Sequence, residues 1–291
     1  MTAAEQYAAS VDAVNAQYSR LHGQQLPDDP WGGETAQRYR YDPHRSLDAN
    51  LEVIASYLQR EDVLIDVGGG AGRLSLPLAL RCREVVNVDA SAGMLAAFEA
   101  LATEAGIQNA RAVKSDWLAA GGIQGDVTLV SSVTYFVRDI VPFVRKLEAA
   151  SRRRVIILVW GEPPPNLRGR LFRLVYGEEL APLPGHRALL PVLWDMGILP
   201  DVRVLPTWPT MAGLPPDVRY PRTHEEAMAY ALVGRWLAPR DRDRARELIE
   251  AHFQELFERT SEGFRPLWQM DTRELLITWE PHPQSWIGGK R

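Results

Sequence analysis

The sequence contains a single cysteine, Cys82, so no disulfide can form within the chain and a metal cluster of several cysteines is excluded. No apolar run approaches the ~20 residues that a bilayer-spanning helix needs. Residues 1–5 lack the basic and apolar parts of a signal peptide. These absences predict a cytoplasmic protein.

An excess of basic residues is also missing. The net charge is −4 at pH 7, which argues against a surface built for the phosphates of nucleic acids. One basic run, Arg152–Arg154, is predicted to lie in a solvated loop between a helix and a strand. We therefore expect neither a nucleic-acid nor a membrane partner. The apolar content of 46% suffices for a full core.

The most informative stretch is Val63–Val67 followed by glycines at 68, 69, 70 and 72. The apolar run is typical of a buried parallel strand. Glycines there allow a sharp turn and let a ligand lie against bare backbone. A second apolar run, Val85–Val88, ends in Asp89, and an acid in that position can bind the two hydroxyls of a ribose. The pattern predicts a nucleotide site at the carboxyl end of a sheet.

The details of the glycine turn restrict which nucleotide binds. The dinucleotide fingerprint needs a third glycine where this chain has Arg73, and no Gly-Lys-Ser/Thr follows to make a P-loop. What remains is an acid before the glycines, Asp66-x-Gly-x-Gly-x-Gly. This pattern resembles the first motif of the class I S-adenosylmethionine-dependent methyltransferases.

The resemblance continues through the next hundred residues and implies S-adenosyl-L-methionine as the cofactor. Asp89 resembles the ribose-binding acid, the segment from Ser115 resembles the adenine-binding end of the third strand, and Ser131 ends the fourth strand beside the methionine part. The family's cofactor site then falls on Asp66, Gly68, Gly69, Gly70, Asp89, Ala90, Met94, Ser115, Asp116, Trp117 and Ser131.

Strands and helices alternate along the chain, which indicates an α/β fold with a parallel sheet. The resemblance implies a Rossmann-like sheet of seven strands with helices on both faces. Further strands are predicted at Val155–Trp160, near Val202–Val204, and at Leu275–Trp279. In the family the last of these runs antiparallel between the fifth and the sixth.

The chain is predicted to have three parts. Residues 1–60 form a helical arm or lid, residues 61–206 and 270–291 form the core, and residues 207–269 form a helical cap insertion. In the family, segments like the aromatic linker around Trp31 fold over the cofactor. The alternative interpretation is that this linker packs against the core. The cap is either a substrate lid or the interface of a homodimer.

The cofactor carries a methyl group that is already electrophilic, so the protein has mainly to align a nucleophile behind it. A hydroxyl acceptor would also need a general base. Tyr135 lies just beyond the fourth strand, and the arm could bring His44 over the site; these two are the candidate catalytic residues. The alternative interpretation is that Tyr135 forms an aromatic wall of the acceptor pocket. Ordinary surface roles are favoured for His186 and His224.

The residues after the fourth strand exclude several subclasses. Residues 131–136 lack the Asp/Asn-Pro-Pro-Tyr/Phe motif of amino-methylating DNA enzymes, and Asp139 is the only acid soon after them, so no metal is expected. A small organic acceptor, methylated on oxygen, nitrogen or carbon, remains. Two alternatives stay open: a nicotinamide-dinucleotide-dependent oxidoreductase, and a protein that binds S-adenosylmethionine without turnover.

Overall fold

The computed structural model describes residues 1–23, 29–206, 220–269 and 272–281. The parts of the predicted arm, cap and core at 24–28, 207–219, 270–271 and 282–291 therefore lie outside the described residues. The described strands are β1 (Val63–Val67), β2 (Glu84–Asp89), β3 (Ala110–Lys114), β4 (Gly125–Ser131), β5 (Ser151–Trp160), β6 (Asp201–Val204), β7 (Phe257–Thr260), β8 (Gly263–Pro266) and β9 (Glu274–Trp279).

The described α-helices are α1 (Ala3–His22), α2 (Glu34–Arg38), α3 (Ala49–Ala55), α4 (Ser75–Ala79), α5 (Ala92–Glu104), α6 (Ile140–Ala150), α7 (Gly169–Tyr176), α8 (His186–Asp195), α9 (His224–Ala231), α10 (Arg242–Ala251) and α11 (Phe253–Leu256). Short 3-10 helices cover Thr134–Phe136, Pro164–Arg168 and Pro239–Asp241.

A seven-stranded sheet in the order β3-β2-β1-β4-β5-β9-β6 organises the molecule. β1 to β5 are parallel, whereas β9 is antiparallel to both of its neighbours. All five residues of β1 are buried, because both faces of a parallel sheet are covered by helices. The predicted fold class and the position of the last strand are confirmed.

Alternate residues of β1 enter different cores, as the pleat requires. Ile65 belongs to the core under α1, α6 and α8, whereas Leu64 belongs to the core under α3, α4 and α5. Helix α5 starts after Ser91, because the Ser91 side chain caps it by accepting the N–H of Met94 at 3.1 Å. These crossover helices leave the carboxyl ends of the parallel strands along one edge of the sheet.

A third apolar cluster, the cap cluster, lies outside the two sheet cores. It joins α7, α9 and α10 to the β7-β8 hairpin through residues such as Phe172, Met228, Ile249 and Trp268. Thr223 and Glu226 form a capping box at the start of α9. The apolar face of α7 thus packs with the cap helices that follow later in the chain.

The basic run Arg152–Arg154 departs from its prediction. These residues form the start of β5 rather than a loop, because Ser151 before them pairs with Gly125 of β4 and Arg154 pairs with Val127, across an irregularity in the register. Each guanidinium has an acidic partner: Arg152 pairs with Asp126 at 2.7 Å, Arg153 with Asp62, and Arg154 with Glu280 at 2.9 Å. No helix within the described ranges is long and apolar enough to cross a lipid bilayer.

Candidate cofactor and acceptor site

At the carboxyl edge of the sheet, the ends of the parallel strands are less buried than the strand interiors. The residues of β1 and the interior of β2 are buried, but Gly68–Gly70, Asp89 and Ser131 at the strand ends are half-exposed. Ligands of open α/β sheets bind in the crevice outside these strand ends. The edge above β2, β1 and β4 is therefore the candidate cofactor site.

The glycine turn after β1 needs its glycines for two different reasons. Gly68 and Gly70 have φ values of +68° and +55°, which side chains rarely adopt. A Cβ on Gly69 would stand 2.3 Å from Oδ2 of Asp66, so this glycine packs against the protein itself. A Cβ on Gly70 would meet only the sulfur of Met94, at 3.5 Å, and otherwise open space. Gly70 is thus the glycine that a ligand can approach.

Asp66 lies beneath the turn and not on the half-exposed edge. It is 2% exposed, and burial raises the pKa of its carboxyl to about 6. Its neighbour in the sheet, Asn87, donates from Nδ2 to the carbonyl of Gly70 at 2.8 Å. The structure thus places Asp66 under the cradle, while Gly70 forms part of the cradle surface.

Both carboxylate oxygens of Asp89 accept hydrogen bonds from backbone N–H groups near the glycine turn. Its Oδ2 accepts the N–H of Gly70 at 2.9 Å, and its Oδ1 accepts the N–H of Ser91 at 2.8 Å. Burial raises the pKa of this carboxyl above its usual value. Each carboxylate oxygen has a further lone pair, so two ribose hydroxyls fit here. Ala90 beside it is exposed, and Met94 is buried behind Gly70.

The segment after β3 lies next to Asp89, because the N–H of Ser115 donates to the Asp89 carbonyl at 3.0 Å. Asp116 is exposed, and one of its oxygens accepts the N–H of Leu118 at 2.8 Å. Trp117 is buried, with the Lys146 ammonium 5.0 Å from its ring. The predicted adenine side of the site is therefore contiguous with the ribose side.

The end of β4 carries two unusual serines. The Ser131 hydroxyl is buried and has no hydrogen-bond partner in the described part of the chain. Ser132 has φ +59°, the only non-glycine residue of the described ranges in the left-handed region. Such strain costs of order 1–3 kcal/mol and clusters at functional sites. Both features make the end of β4 part of the candidate site.

Tyr135 braces this edge from below. Its ring is buried, and its hydroxyl oxygen accepts the backbone N–H of Trp160 at the end of β5. Burial raises the pKa of this phenol far above its usual value. The Tyr7 hydroxyl donates to the neighbouring Thr134 carbonyl at 2.6 Å, which ties α1 to the same turn. Tyr135 thus lies close to the predicted acceptor position, but in a bracing contact.

The structure does not bring the histidines together. Nε2 of His44 lies 2.9 Å from the carbonyl oxygen of Ala105, at the end of α5. Because α5 runs 13 residues back from the carboxyl edge, this contact is about 20 Å from the start of the helix. His224 lies on the cap, 3.2 Å from Glu250. His186 starts α8, and burial lowers its pKa.

The arm supplies three contacts that sequence reasoning missed. Asp29 reaches α5, where its Oδ2 accepts the N–H of Gly93 at 2.9 Å and the hydroxyl of Ser91 at 3.0 Å. Trp31 lies 6.2 Å, between ring centroids, from Phe136 beyond β4. Because β1 lies between β2 and β4, this aromatic pair bridges across the glycine turn. The turn-like composition of residues 29–33 indicates an ordered loop, but no sequence signal pairs it with α5 or Phe136.

Arg235 connects the arm to the cap. Its guanidinium lies 4.6 Å from the ring of Tyr18 and 6.0 Å from the ring of Trp31. The carbonyl of the same residue is 2.9 Å from Nε2 of His22. Arm and cap therefore meet over the carboxyl edge, next to the aromatic bridge.

These residues fit S-adenosylmethionine. Gly70 offers a bare cradle, Asp89 offers free lone pairs for a ribose, and the Ser131 hydroxyl is an orphaned polar group beside them. Within the described ranges, no group of three or more His, Cys, Asp or Glu side chains is placed to hold a metal ion.

Comparison with known proteins agrees with this geometry. A family model described as "Methyltransferase domain" matches residues 64–152, which span β1 to the first residues of β5. No curated protein matches the chain. The predicted methyltransferase resemblance is confirmed for this segment.

Among solved structures, the YcgJ protein from Bacillus subtilis is similar, with 15% identity, a TM-score of 0.52, and coverage of 80% of this chain and 98% of that one. Geranyl diphosphate C-methyltransferase from Streptomyces coelicolor A3(2) shows 13% identity, a TM-score of 0.47, and coverage of 94% and 98%. Magnesium protoporphyrin IX methyltransferase from Synechocystis PCC 6803 shows 17% identity, a TM-score of 0.46, and coverage of 70% and 91%.

Proposed function

We propose that this chain, a class I S-adenosylmethionine-dependent methyltransferase, methylates a small organic acceptor held between the carboxyl edge of the sheet and the helical cap. The observation that carries the proposal is the Trp31–Phe136 bridge over the glycine turn. A site roofed in this way suits a small molecule better than a nucleic acid or a membrane surface. The net charge of −4 supports the same choice.

The cofactor supplies an electrophilic methyl group when it is bound. This chain's own part is to bind, orient and exclude water. Asp89 holds the ribose, Gly70 leaves room for the cofactor, and the Ser131 hydroxyl accepts or donates a hydrogen bond at the methionine end. Alignment of the acceptor supplies ~7–11 kcal/mol of the barrier.

Tyr135 acts by positioning, whereas His44 lies outside the site. Tyr135 ties the end of β4 to the end of β5, so it holds Ser131 and Ser132 in place. A phenol with so high a pKa is a poor general base at neutral pH. His44 lies at the far end of α5, and the proposal gives it no chemical role.

The arm and the cap act as covers. We propose that residues 1–60 close the cofactor side through Asp29 and Trp31, and that the cap insertion at 207–269 closes the acceptor side together with α7. Exclusion of water and alignment of the acceptor are what such covers provide.

The proposal is tested in two steps. Calorimetric titration compares S-adenosylmethionine with NAD and NADP, and mass spectrometry then follows transfer from methyl-labelled S-adenosylmethionine to a panel of small phenols, amines and carbon acids. We expect tight binding of S-adenosylmethionine alone and a labelled product from at least one acceptor class.

The contrary outcomes are distinct. Binding of a nicotinamide cofactor in place of S-adenosylmethionine would support the oxidoreductase alternative. Cofactor binding with no labelled product from a broad metabolite extract would support the alternative without turnover. A Phe136→Ala variant serves as the site control, because it removes the Trp31–Phe136 contact above the glycine turn and leaves the glycines and Asp89 unchanged.

A further inference from the structure

Two buried N–H donors lie next to each other in the cap cluster without an acceptor. Arg168 ends the 3-10 helix after β5, and Trp268 follows β8; they are 8% and 7% exposed. Neither Nη1 of Arg168 nor Nε1 of Trp268 has a hydrogen-bond partner in the described part of the chain. Buried donors are nearly always paired, so an orphaned neighbouring pair calls for a missing acceptor.

Aromatic rings surround the guanidinium. The Cζ atom of Arg168 lies 4.6 Å from the ring centre of Tyr230 and 5.9 Å from that of Trp268. Such faces attract a cation, and Tyr230 also gives the guanidinium a side-chain hydrogen bond, but Nη1 of Arg168 keeps no partner in the described part of the chain. The stacking therefore orients Arg168 and leaves its in-plane Nη1 donor available.

No acidic side chain compensates this charge. Within the described ranges, no aspartate or glutamate forms an ion pair with Arg168, whereas Arg265 on the β7-β8 hairpin pairs with Glu258. Burial lowers the pKa of the Arg168 guanidinium, yet arginine keeps its proton in proteins. A buried cation without an anion is unfavourable unless a ligand supplies the negative charge.

Arg168 also lies on the acceptor side of the molecule. The 3-10 helix that it ends begins four residues beyond Trp160, the last residue of β5. Asn166 donates to Oε1 of Glu162 at 2.7 Å and so folds this helix back toward the strand end. The chain length allows at most about 20 Å between Arg168 and Trp160.

We propose that Arg168 and Trp268 form an anion subsite that binds a carboxylate or phosphate group carried by the acceptor. The subsite deepens the proposed function and rests on it, since it places the acceptor's anionic end in the cap and leaves the reacting end over β4. The charged Nη1 group of Arg168 and the indole N–H of Trp268 can each donate a directed hydrogen bond to an oxygen of one oxyanion.

The test uses the whole protein and simple probes. Thermal unfolding is followed against increasing benzoate, phenyl phosphate, inorganic phosphate and the neutral analogue benzamide, at constant ionic strength. We expect benzoate or phenyl phosphate to raise the melting temperature and benzamide to have no such effect. The organic anion that raises the melting temperature more shows whether the acceptor carries a carboxylate or a phosphate group. If inorganic phosphate raised the melting temperature equally, the proposal that the anion belongs to an organic acceptor would be overturned.

Three variants separate the subsite from general effects. Arg168→Met should abolish the anion response, and Trp268→Phe, which keeps the ring, should weaken it about tenfold because one N–H donor is lost. Arg259→Met is the matched control, since that exposed guanidinium also stacks on a ring, Phe264, at 5.2 Å. The control should respond as the wild type does.

The outcomes distinguish this proposal from the proposed function. Titration with S-adenosylhomocysteine should give equal affinity in the wild type and in Arg168→Met, because the cofactor edge is separate from the subsite. A wild type without any anion response, or an unchanged response in both subsite variants, overturns the anion subsite alone. Loss of cofactor binding in the wild type would instead overturn the proposed function. If Arg168→Met fails to fold, Trp268→Phe still decides.

Discussion

The carboxylate of Asp29 accepts the backbone N–H of Gly93 at 2.9 Å, so a loop of the arm is fastened to the first turn of the helix that follows β2. The same oxygen accepts the hydroxyl of Ser91, the residue that caps α5. An anion is favourable at a helix N-terminus, where N–H groups have no partners. The contact fastens the arm beside the proposed cofactor edge.

The first prediction concerns this contact. Asp29→Ala should weaken S-adenosylmethionine binding severalfold and destabilise the protein by about 1 kcal/mol, because it removes a charge at a helix start. Calorimetry and urea unfolding measure the two effects. Asp42→Ala is the matched control, since Asp42 lies in the same arm but accepts the N–H of His44. Equal affinity in both variants would refute the role of Asp29.

The second prediction separates neighbouring glycines. Gly70→Val should leave a folded protein that no longer binds the cofactor, because the Cβ would touch only the Met94 sulfur and fill the space beside it, and its φ of +55° disfavours a branched residue. Gly69→Ala should instead impair folding, because its Cβ would collide with Asp66. Circular dichroism and calorimetry distinguish the two. Cofactor binding by folded Gly70→Val would place the ligand elsewhere.

The third prediction concerns the ribose. Asp89→Ala should weaken cofactor binding by several kcal/mol at most, since charge-assisted hydrogen bonds contribute ~1.5–3 kcal/mol each. The fold should survive, because Asp89 is half-exposed at a strand end. Calorimetric titration provides the measurement. An unchanged affinity would remove Asp89 from the site.

The fourth prediction concerns Asp66 and pH. Burial raises the pKa of this carboxyl to about 6 in the folded protein, whereas the unfolded value is near 3.9. The folded state therefore binds more protons between these values, so stability from this group is fully present below about pH 4 and is lost by about pH 6. The loss is roughly 3 kcal/mol.

Urea unfolding at several pH values from 4 to 7 tests this. Asp66→Asn cannot ionise, so its stability relative to the wild type should improve as pH rises through that window. Parallel stability curves for the two proteins would show that Asp66 has an ordinary pKa.

The fifth prediction separates bracing from proton transfer. Tyr135→Phe keeps the ring but removes the oxygen that accepts the Trp160 N–H. We expect a moderate rise in KM and no loss of a pH limb in kcat/KM, whereas removal of a general base would cost about 10²–10⁴-fold in rate. His44→Ala, which changes a contact at the far end of α5, should behave as the wild type. A rate loss of the larger size would restore Tyr135 as a base.

Local pattern was sufficient to predict the sheet and to place the glycine turn and Asp89 together at one edge of it. The apolar run Val63–Val67, the glycines and Asp89 at the end of the next strand are short-range features, and the backbone geometry of parallel strands brings their ends to one edge. Helix starts at Ser91 and Thr223 were equally readable, because a cap acts within one turn.

Register in the tertiary structure overrode local composition at Arg152–Arg154. Three consecutive arginines are typical of a solvated loop, but pairing with β4 and acidic partners from three other segments keep them in β5. No pattern within the run contains that information.

By itself, then, the sequence determined the fold, and it predicts the cofactor and the edge of the sheet on which the cofactor binds, since these depend on residue types at short spacing. The tertiary structure alone decided that Asp66 lies under the turn, that Ser132 is strained, and that His44 is remote. It also decided which distant segments meet: Asp29 with Gly93, Trp31 with Phe136, and Arg168 with Trp268. Those pairings join irregular loops across the fold, where packing and not periodicity selects the partner.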